Sequence, residues 1–324
     1  MRKVLSIAVM AAAMFAVSMP AAAQAPEGQE RGQGAPGRQG GGGRGGGGRG
    51  GPAAPPVIKE IKPNLYIVTG LGGNTTVRVD PAGLIVVDTK NLGQANYDAL
   101  MQQIRTVSQA PVKYVFVTHH HQDHSGNIGP FQAAGAEVIV QENLNKNLET
   151  YAPAQGKPEK AKVTYAKDKK VQVGKAKAEA HYFGRGHTNG DTFVYFPDLK
   201  VVSTGDMVVG ATPNADMPFG GSAVEWVGSL DKLLKLDFDT VVPGHSAPAP
   251  APETLTRAQV QEFRNKWNTV VERGIEQIKK GTPKDQLLAN IKVDDLGWNL
   301  NSFNQQGRLD PFYAELQAAA AKKK

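Results

Sequence analysis

The 324-residue sequence predicts an α/β (α+β) domain in which two packed β-sheets carry helices on their outer faces. Three observations lead there. Short apolar or β-branched runs fall into two groups, one between 65 and 117 and one between 171 and 203, each followed by stretches with helical periodicity. Gly-, Asn- and Pro-containing turns separate the runs of the first group at the spacing of a meander. Polar residues able to bind metal sit immediately after several of these runs, where a rigid strand presents a turn.

The N-terminal part reads as non-domain sequence. Met1-Arg2-Lys3 is a basic head, residues 4–17 are apolar, and Ala21-Ala22-Ala23 precedes Gln24, so residues 1–23 are expected to be a secretory signal peptide. Pro20 breaks the apolar run, which argues against a membrane anchor, and the chain is expected to be exported to the periplasm or beyond. Residues 24–56 are dominated by Gly with Arg31, Arg38, Arg44 and Arg49 spaced through them, the composition of a disordered linker. No aromatic residue accompanies these arginines, and no nucleic-acid partner is expected. Residues 57–324 are left as the folded domain with a C-terminal helical extension.

Composition narrows the chemistry. The chain has no cysteine, which excludes disulfides, a lipid-anchoring thiol and thiolate metal ligands, so any metal must rest on His and carboxylate donors. No later apolar run is long enough to span a bilayer. The formal charge of +7 falls to +5 without Arg2 and Lys3, too little to specify a partner.

Taken in order, the runs 65–69, 75–79 and 84–87 read as antiparallel strands, separated by Gly72-Gly73-Asn74 and Asp80-Pro81-Ala82-Gly83. A helix over 95–107 leads to a buried strand over 112–117. Beyond it come a helix over 128–134, a strand over 136–140 and a helix over 142–151. The Lys-rich stretch 157–170 reads as a solvated connection. Strands follow at 171–173, 178–183, 192–196 and 200–203. A long amphipathic helix is expected over 253–280, with Val260, Phe263, Trp267, Val270 and Val271 at helical spacing, then helices over 283–291 and 312–321 as covering layers.

The stretch that organises the chemistry is Thr118-His119-His120-His121-Gln122-Asp123-His124, directly after the strand ending at Val117. On an extended segment side chains two apart point the same way, so His119 and His121 close on one metal, Asp123 and His124 face a neighbouring one, and His120 points away. Further donors sit in later turns: His187 in Gly186-His187-Thr188, Asp206 in Gly205-Asp206, and His245 in Pro243-Gly244-His245. His119, His121 and His187 make a three-nitrogen group that leaves a position for water. Asp123, His124 and His245 make a second group, with Asp206 as the candidate bridge. Two metals roughly 3.5–4 Å apart would share a hydroxide that attacks an electrophilic centre, with Asp123 as the catalytic residue that orients the water or takes its proton.

This ordered set of motifs resembles the metallo-β-lactamase superfamily, over residues 65–246, with Asp88 matching the strand-end Asp near the metals. The resemblance implies an αββα sandwich of two mixed sheets with the site at one edge, between the sheets. It implies zinc, two ions, although iron or manganese fits the same donors. The β-lactamases that share the Gly-His-Thr turn carry Cys where this chain has Asp206, and a substrate-binding Lys where it has Val209. Asp206 is instead what glyoxalase II-like and lactonase-like hydrolases carry as a bridging ligand. The expected activity is therefore hydrolysis of a small-molecule ester, lactone, thioester or lactam. The alternatives are a true β-lactam hydrolase, a mononuclear-iron oxidoreductase resembling persulfide dioxygenases, and a binding protein without turnover. The loops 70–74 and 211–222 are expected to line the pocket, with Asn214, Phe219 and Trp226 as candidate substrate contacts.

Overall fold

A computed structural model describes residues 54–322; the expectations for the signal peptide and nearly all of the linker concern residues outside this range. The first sheet follows chain order: β1 (Val57–Lys62), β2 (Leu65–Thr69), β3 (Thr75–Asp80), β4 (Gly83–Val87), β5 (Val112–Val117), β6 (Glu137–Gln141) and β7 (Val163–Tyr165). Pairing is antiparallel from β1 to β4 and parallel from β4 to β7. The second sheet contains β8 (Asp168–Val173), β9 (Ala176–His181), β10 (Phe193–Phe196), β11 (Val201–Ser203), β12 (Thr240–Val242) and β13 (Leu255–Thr256), each again beside its neighbour in the chain. All its pairs are antiparallel except β11 with β12.

Strand alternation builds three apolar layers. Ile67, Ile85, Val87, Phe116 and Ile139 of the first sheet meet Ala178, Ala180, Val194, Phe196 and Val242 of the second between the sheets. The alternate residues of the first sheet, Val68, Val86, Val115, Val117, Val138 and Val140, face outward. They are covered by α1 (Gln94–Arg105), α3 (Ile128–Ala133) and α4 (Glu142–Thr150), with the four-residue α2 (Gln122–Ser125) lying between β5 and α3. Phe193, Tyr195, Val202 and Val241 of the second sheet face α5 (Ala223–Leu233), α6 (Arg257–Lys279), α7 (Lys284–Asn290) and α8 (Leu309–Lys322). The order of layers is helix, sheet, sheet, helix, as expected.

Several local expectations change. The stretch 157–170 is not simply a solvated connection, because β7 and the start of β8 lie within it. Both are edge strands, where exposed lysines are tolerated and discourage further pairing. The unexpected β1 is also an edge strand, weakly patterned because all of its residues are partly or fully exposed. Helix α6 starts at Arg257 instead of 253, since Leu255 and Thr256 pair with β12 and Thr256 then closes a capping box with Gln259. Helix α5 was not anticipated, yet Ser222 caps it by accepting from the Glu225 amide at 3.0 Å. Its Ala223, Trp226, Val227, Leu230 and Leu233 recur at the three-and-four spacing of a buried helical face.

Candidate metal centre

Five chain segments converge at one edge of the sandwich, each leaving a strand. Asp88 follows β4, residues 118–124 follow β5, His187 lies between β9 and β10, Asp206 follows β11 and His245 follows β12. The backbone between His119 and His121 bends, and Asp123 and His124 belong to the helical turn α2. A bend and a turn, not strand alternation, therefore separate His119 and His121 from Asp123 and His124.

Three donor groups form among the described residues, and two of them contain the donors expected from the sequence. Ligand atoms of His119, His121, His187 and Asp206 lie within 4.8 Å of one another, and so do those of Asp123, His124 and His245. In the first group His187 Nε2 is 3.0 Å from His121 Nδ1. In the second, His245 Nε2 is 3.2 Å from His124 Nε2 and 3.1 Å from Asp123 Oδ2. Asp206 lies between them: Oδ2 is 3.7 Å from His187 Nε2, while Oδ1 is 3.3 Å from His124 Nε2 and 3.6 Å from His245 Nε2.

Each of four imidazoles has its second nitrogen held from behind, which leaves the first aimed into the cluster. His119 Nδ1 is 3.1 Å from Thr118 Oγ1, and His124 Nδ1 is 2.8 Å from Asp88 Oδ2. His121 Nε2 is 2.7 Å from Asp216 Oδ2, and His187 Nδ1 is 2.5 Å from the Asn214 carbonyl. Asp88 in turn accepts from the Thr118 amide at 2.7 Å and the Thr118 hydroxyl at 2.9 Å. The backbone approaches as closely: a Cβ on Gly73 would sit 2.2 Å from His124 Cε1, and one on Gly244 would sit 2.0 Å from Asp206 Oδ1. Glycine at these positions lets the turns cradle the donors.

The residues fit a divalent cation. His119 Nε2 is buried without a hydrogen-bond partner, an expensive arrangement unless the lone pair serves as a ligand. Nitrogen donors with a few carboxylates suit zinc, and iron and manganese less selectively. Electrostatics divides the groups. Burial, with the neighbouring His124 and His187, holds the His119 imidazole well below the usual histidine range, and burial lowers His187 to about 4 against the pull of Asp206. These two rings are neutral and available as ligands at neutral pH. Burial also opposes charge on His124, but the carboxylates of Asp123, Asp206 and Asp88 outweigh it and raise that ring well above its usual range. Asp206 moves the other way, since His245 and His124 overcome the burial that favours its protonated form.

His120 is fully buried, its ring 4.4 Å from Phe219 and 4.8 Å from Tyr151 between centroids, and its Nε2 lies 3.9 Å from Asp216 Oδ2, so that it makes a further donor group with His121 and Asp216. The three candidate pocket residues have packing roles: Asn214 presents its carbonyl to His187, Phe219 covers His120, and Trp226 is buried in α5 with Nε1 donating to the Met207 carbonyl at 3.1 Å. Asp216 and Lys90 escaped the sequence reading. Lys90 is fully buried and donates to the Val68 and Gly73 carbonyls at 2.6 and 2.7 Å, pinning the 70–74 loop against His124. Lys90→Met is expected to cost roughly 2–4 kcal/mol in urea unfolding, because two buried carbonyls lose their donor. Burial lowers the Lys90 ammonium to about 7 from its ordinary 10.5, with Asp88 and Asp123 opposing. The folded state thus binds fewer protons than the unfolded chain across that window, so the wild type should gain stability between these pH values and K90M should lose that gain.

Residues 68–245, more than half of the chain, match the family model of the metallo-beta-lactamase superfamily. The chain belongs to that superfamily. As a member it is a metal-dependent hydrolase. "Metallo-beta-lactamase type 2" of Elizabethkingia meningoseptica is 27% identical over 200 residues, covering 58% of this chain and 78% of that protein. A linear primary-alkylsulfatase of a Pseudomonas strain is 24% identical over 259 residues, 66% of this chain and 48% of its own. Among solved structures, a metallo-beta-lactamase from Pontibacter korlensis superposes with a TM-score of 0.56 at 21% identity, over 66% of this chain and 99% of its own. The sec-alkylsulfatase Pisa1 from Pseudomonas sp. superposes with a TM-score of 0.59 at 18% identity, over 82% of this chain and 50% of its own. The likeness to the alkylsulfatase structure extends over more of the chain than the likeness to the metallo-beta-lactamase.

Proposed function

We propose that the protein is an exported dinuclear zinc hydrolase that cleaves a small ester, lactone, thioester or lactam. The observation that carries the dinuclear reading is the placement of Asp206, whose two carboxylate oxygens are divided between the two donor groups. His119, His121 and His187 would hold one ion, Asp123, His124 and His245 the other. Bound there, two such ions supply a hydroxide nucleophile near neutral pH and a Lewis acid for the charge that develops on the substrate.

The chain's own residues then have distinct tasks. Asp123 is the more exposed carboxylate, 31% against 16% for Asp206, so it faces incoming substrate and takes the proton of the attacking water. Asp206 keeps its charge inside the cluster. Asp216 and Asp88 hold His121 and His124 in the tautomers that present the inner nitrogen. Export rests on the basic head and small-residue cleavage pattern of residues 1–23.

Purified protein is expected to contain two zinc ions per chain and to hydrolyse at least one member of a panel of aryl ester, homoserine lactone, thioester and nitrocefin. A linear alkyl sulfate belongs in the panel because of the alkylsulfatase relative. Rapid nitrocefin turnover would reverse the ranking of β-lactams below esters, a ranking that rests on Asp206 and Val209 standing where related β-lactamases have Cys and Lys. One iron per chain with oxygen consumption would replace the hydrolase reading by the oxidoreductase one.

A further inference from the structure

We propose that the C-terminal helical layer sets the geometry of the three-imidazole group, and that Arg308 is the positioning residue through which it does so. The inference rests on the metal reading above and goes beyond it. Residues 212–216 carry no regular secondary structure, and of these five only Asp216 makes backbone–backbone hydrogen bonds, so side-chain contacts are what hold the residues before it. They matter because two of the three imidazoles depend on them. The Asn214 carbonyl accepts from His187 Nδ1, the Asp216 carboxylate accepts from His121 Nε2, and the Asp216 amide donates to the His187 carbonyl at 2.7 Å.

One guanidinium spans this segment from behind. Arg308, immediately before α8 and with its side chain only 12% exposed, uses Nη1 to donate to Asn214 Oδ1 and to the Ala215 carbonyl at 3.1 Å. Its Nη2 lies 3.6 Å from Asp216 Oδ1. Three consecutive residues are thereby held by one planar fork, a geometry that the point charge of lysine cannot reproduce. The Asp216 carboxylate has both oxygens engaged, Oδ2 by His121 and Oδ1 by Arg308. Helix α8 reaches the same region a second time, where Glu315 Oε2 accepts from the Ala223 amide at the start of α5 at 3.0 Å. The metal-facing nitrogens of His121 and His187 thus sit at the end of a chain of contacts that begins in the C-terminal extension.

The test compares full-length wild type with Arg308→Ala, Arg308→Lys and, as control, Arg273→Ala, which removes an exposed ion pair with Asp295 on α6 of the same layer. Zinc affinity is measured by competition with a chromogenic chelator, cobalt(II) spectra report the ligand field, and Tm is recorded for the metal-free proteins. R308A is expected to weaken one of two zinc equivalents by about 10–100-fold and to alter the cobalt spectrum, with R308K intermediate and R273A like wild type. Wild-type zinc affinity and an unchanged cobalt spectrum in R308A overturn the inference. If R308A does not fold, R308K decides it in the same way. A wild type that binds no zinc overturns the metal reading itself, a distinct result from a wild type with two equivalents that R308A retains.

Discussion

Asp206→Ala is expected to lower kcat/KM by about a hundredfold to a thousandfold, the magnitude associated with removing one preorganised electrostatic group from a reaction centre. On the dinuclear reading the same substitution should reduce bound zinc from two equivalents toward one, because both donor groups lose the carboxylate between them. Asp206→Cys separates the two effects. A thiolate binds zinc strongly, but it presents one sulfur on a side chain one bond shorter, and so does not reproduce the division of two carboxylate oxygens between the donor groups. The cysteine variant is expected to regain zinc without regaining turnover. Full turnover of the ester or lactone substrate by D206A would sink the bridging assignment.

The second large effect concerns Asp88. This buried carboxylate accepts from the Thr118 amide, the Thr118 hydroxyl and the His124 ring, so Asp88→Ala orphans three groups at once. The expected cost is roughly 3–5 kcal/mol in urea unfolding of the metal-free protein, the range seen when one partner of a buried pair is removed. Zinc affinity should fall by about 10–100-fold as His124 loses its anchor. Asp88 also sits at φ 66, a left-handed conformation that asparagine tolerates better than alanine. Asp88→Asn should therefore lose less stability than D88A while still weakening zinc. Equal stability of both variants with wild type would show that the hydrogen-bond network contributes nothing.

Much of this was legible in the sequence, for reasons that differ from residue to residue. His119, His121, Asp123 and His124 announce themselves because the spacing lies within one short segment. His187, Asp206 and His245 were found because each adjoins a glycine after a short strand. The sheets were legible where both faces of a strand are buried, as in β4 and β10. Edge strands β1 and β7 were not, since exposure removes the apolar pattern. Helix α5 carried a readable signal in Ser222 and Glu225. Asp216 and Arg308 carried none. Asp216 reaches His121 across 95 positions, and Arg308 reaches Ala215 across 93, and neither lies in a local pattern that periodicity or turn chemistry detects.

The convergence of distant turns on one cluster would make a bound metal ion a cross-link as well as a reagent. The contact between His124 and His245 alone closes 121 positions of chain, a constraint whose entropic cost falls on folding before any metal arrives. An ion that binds only the closed form returns stability according to its concentration, about 4 kcal/mol at a thousandfold excess over Kd. On the proposed metal reading, the supply of that ion would then govern how much of the protein survives proteolysis, independently of how fast each surviving molecule turns over.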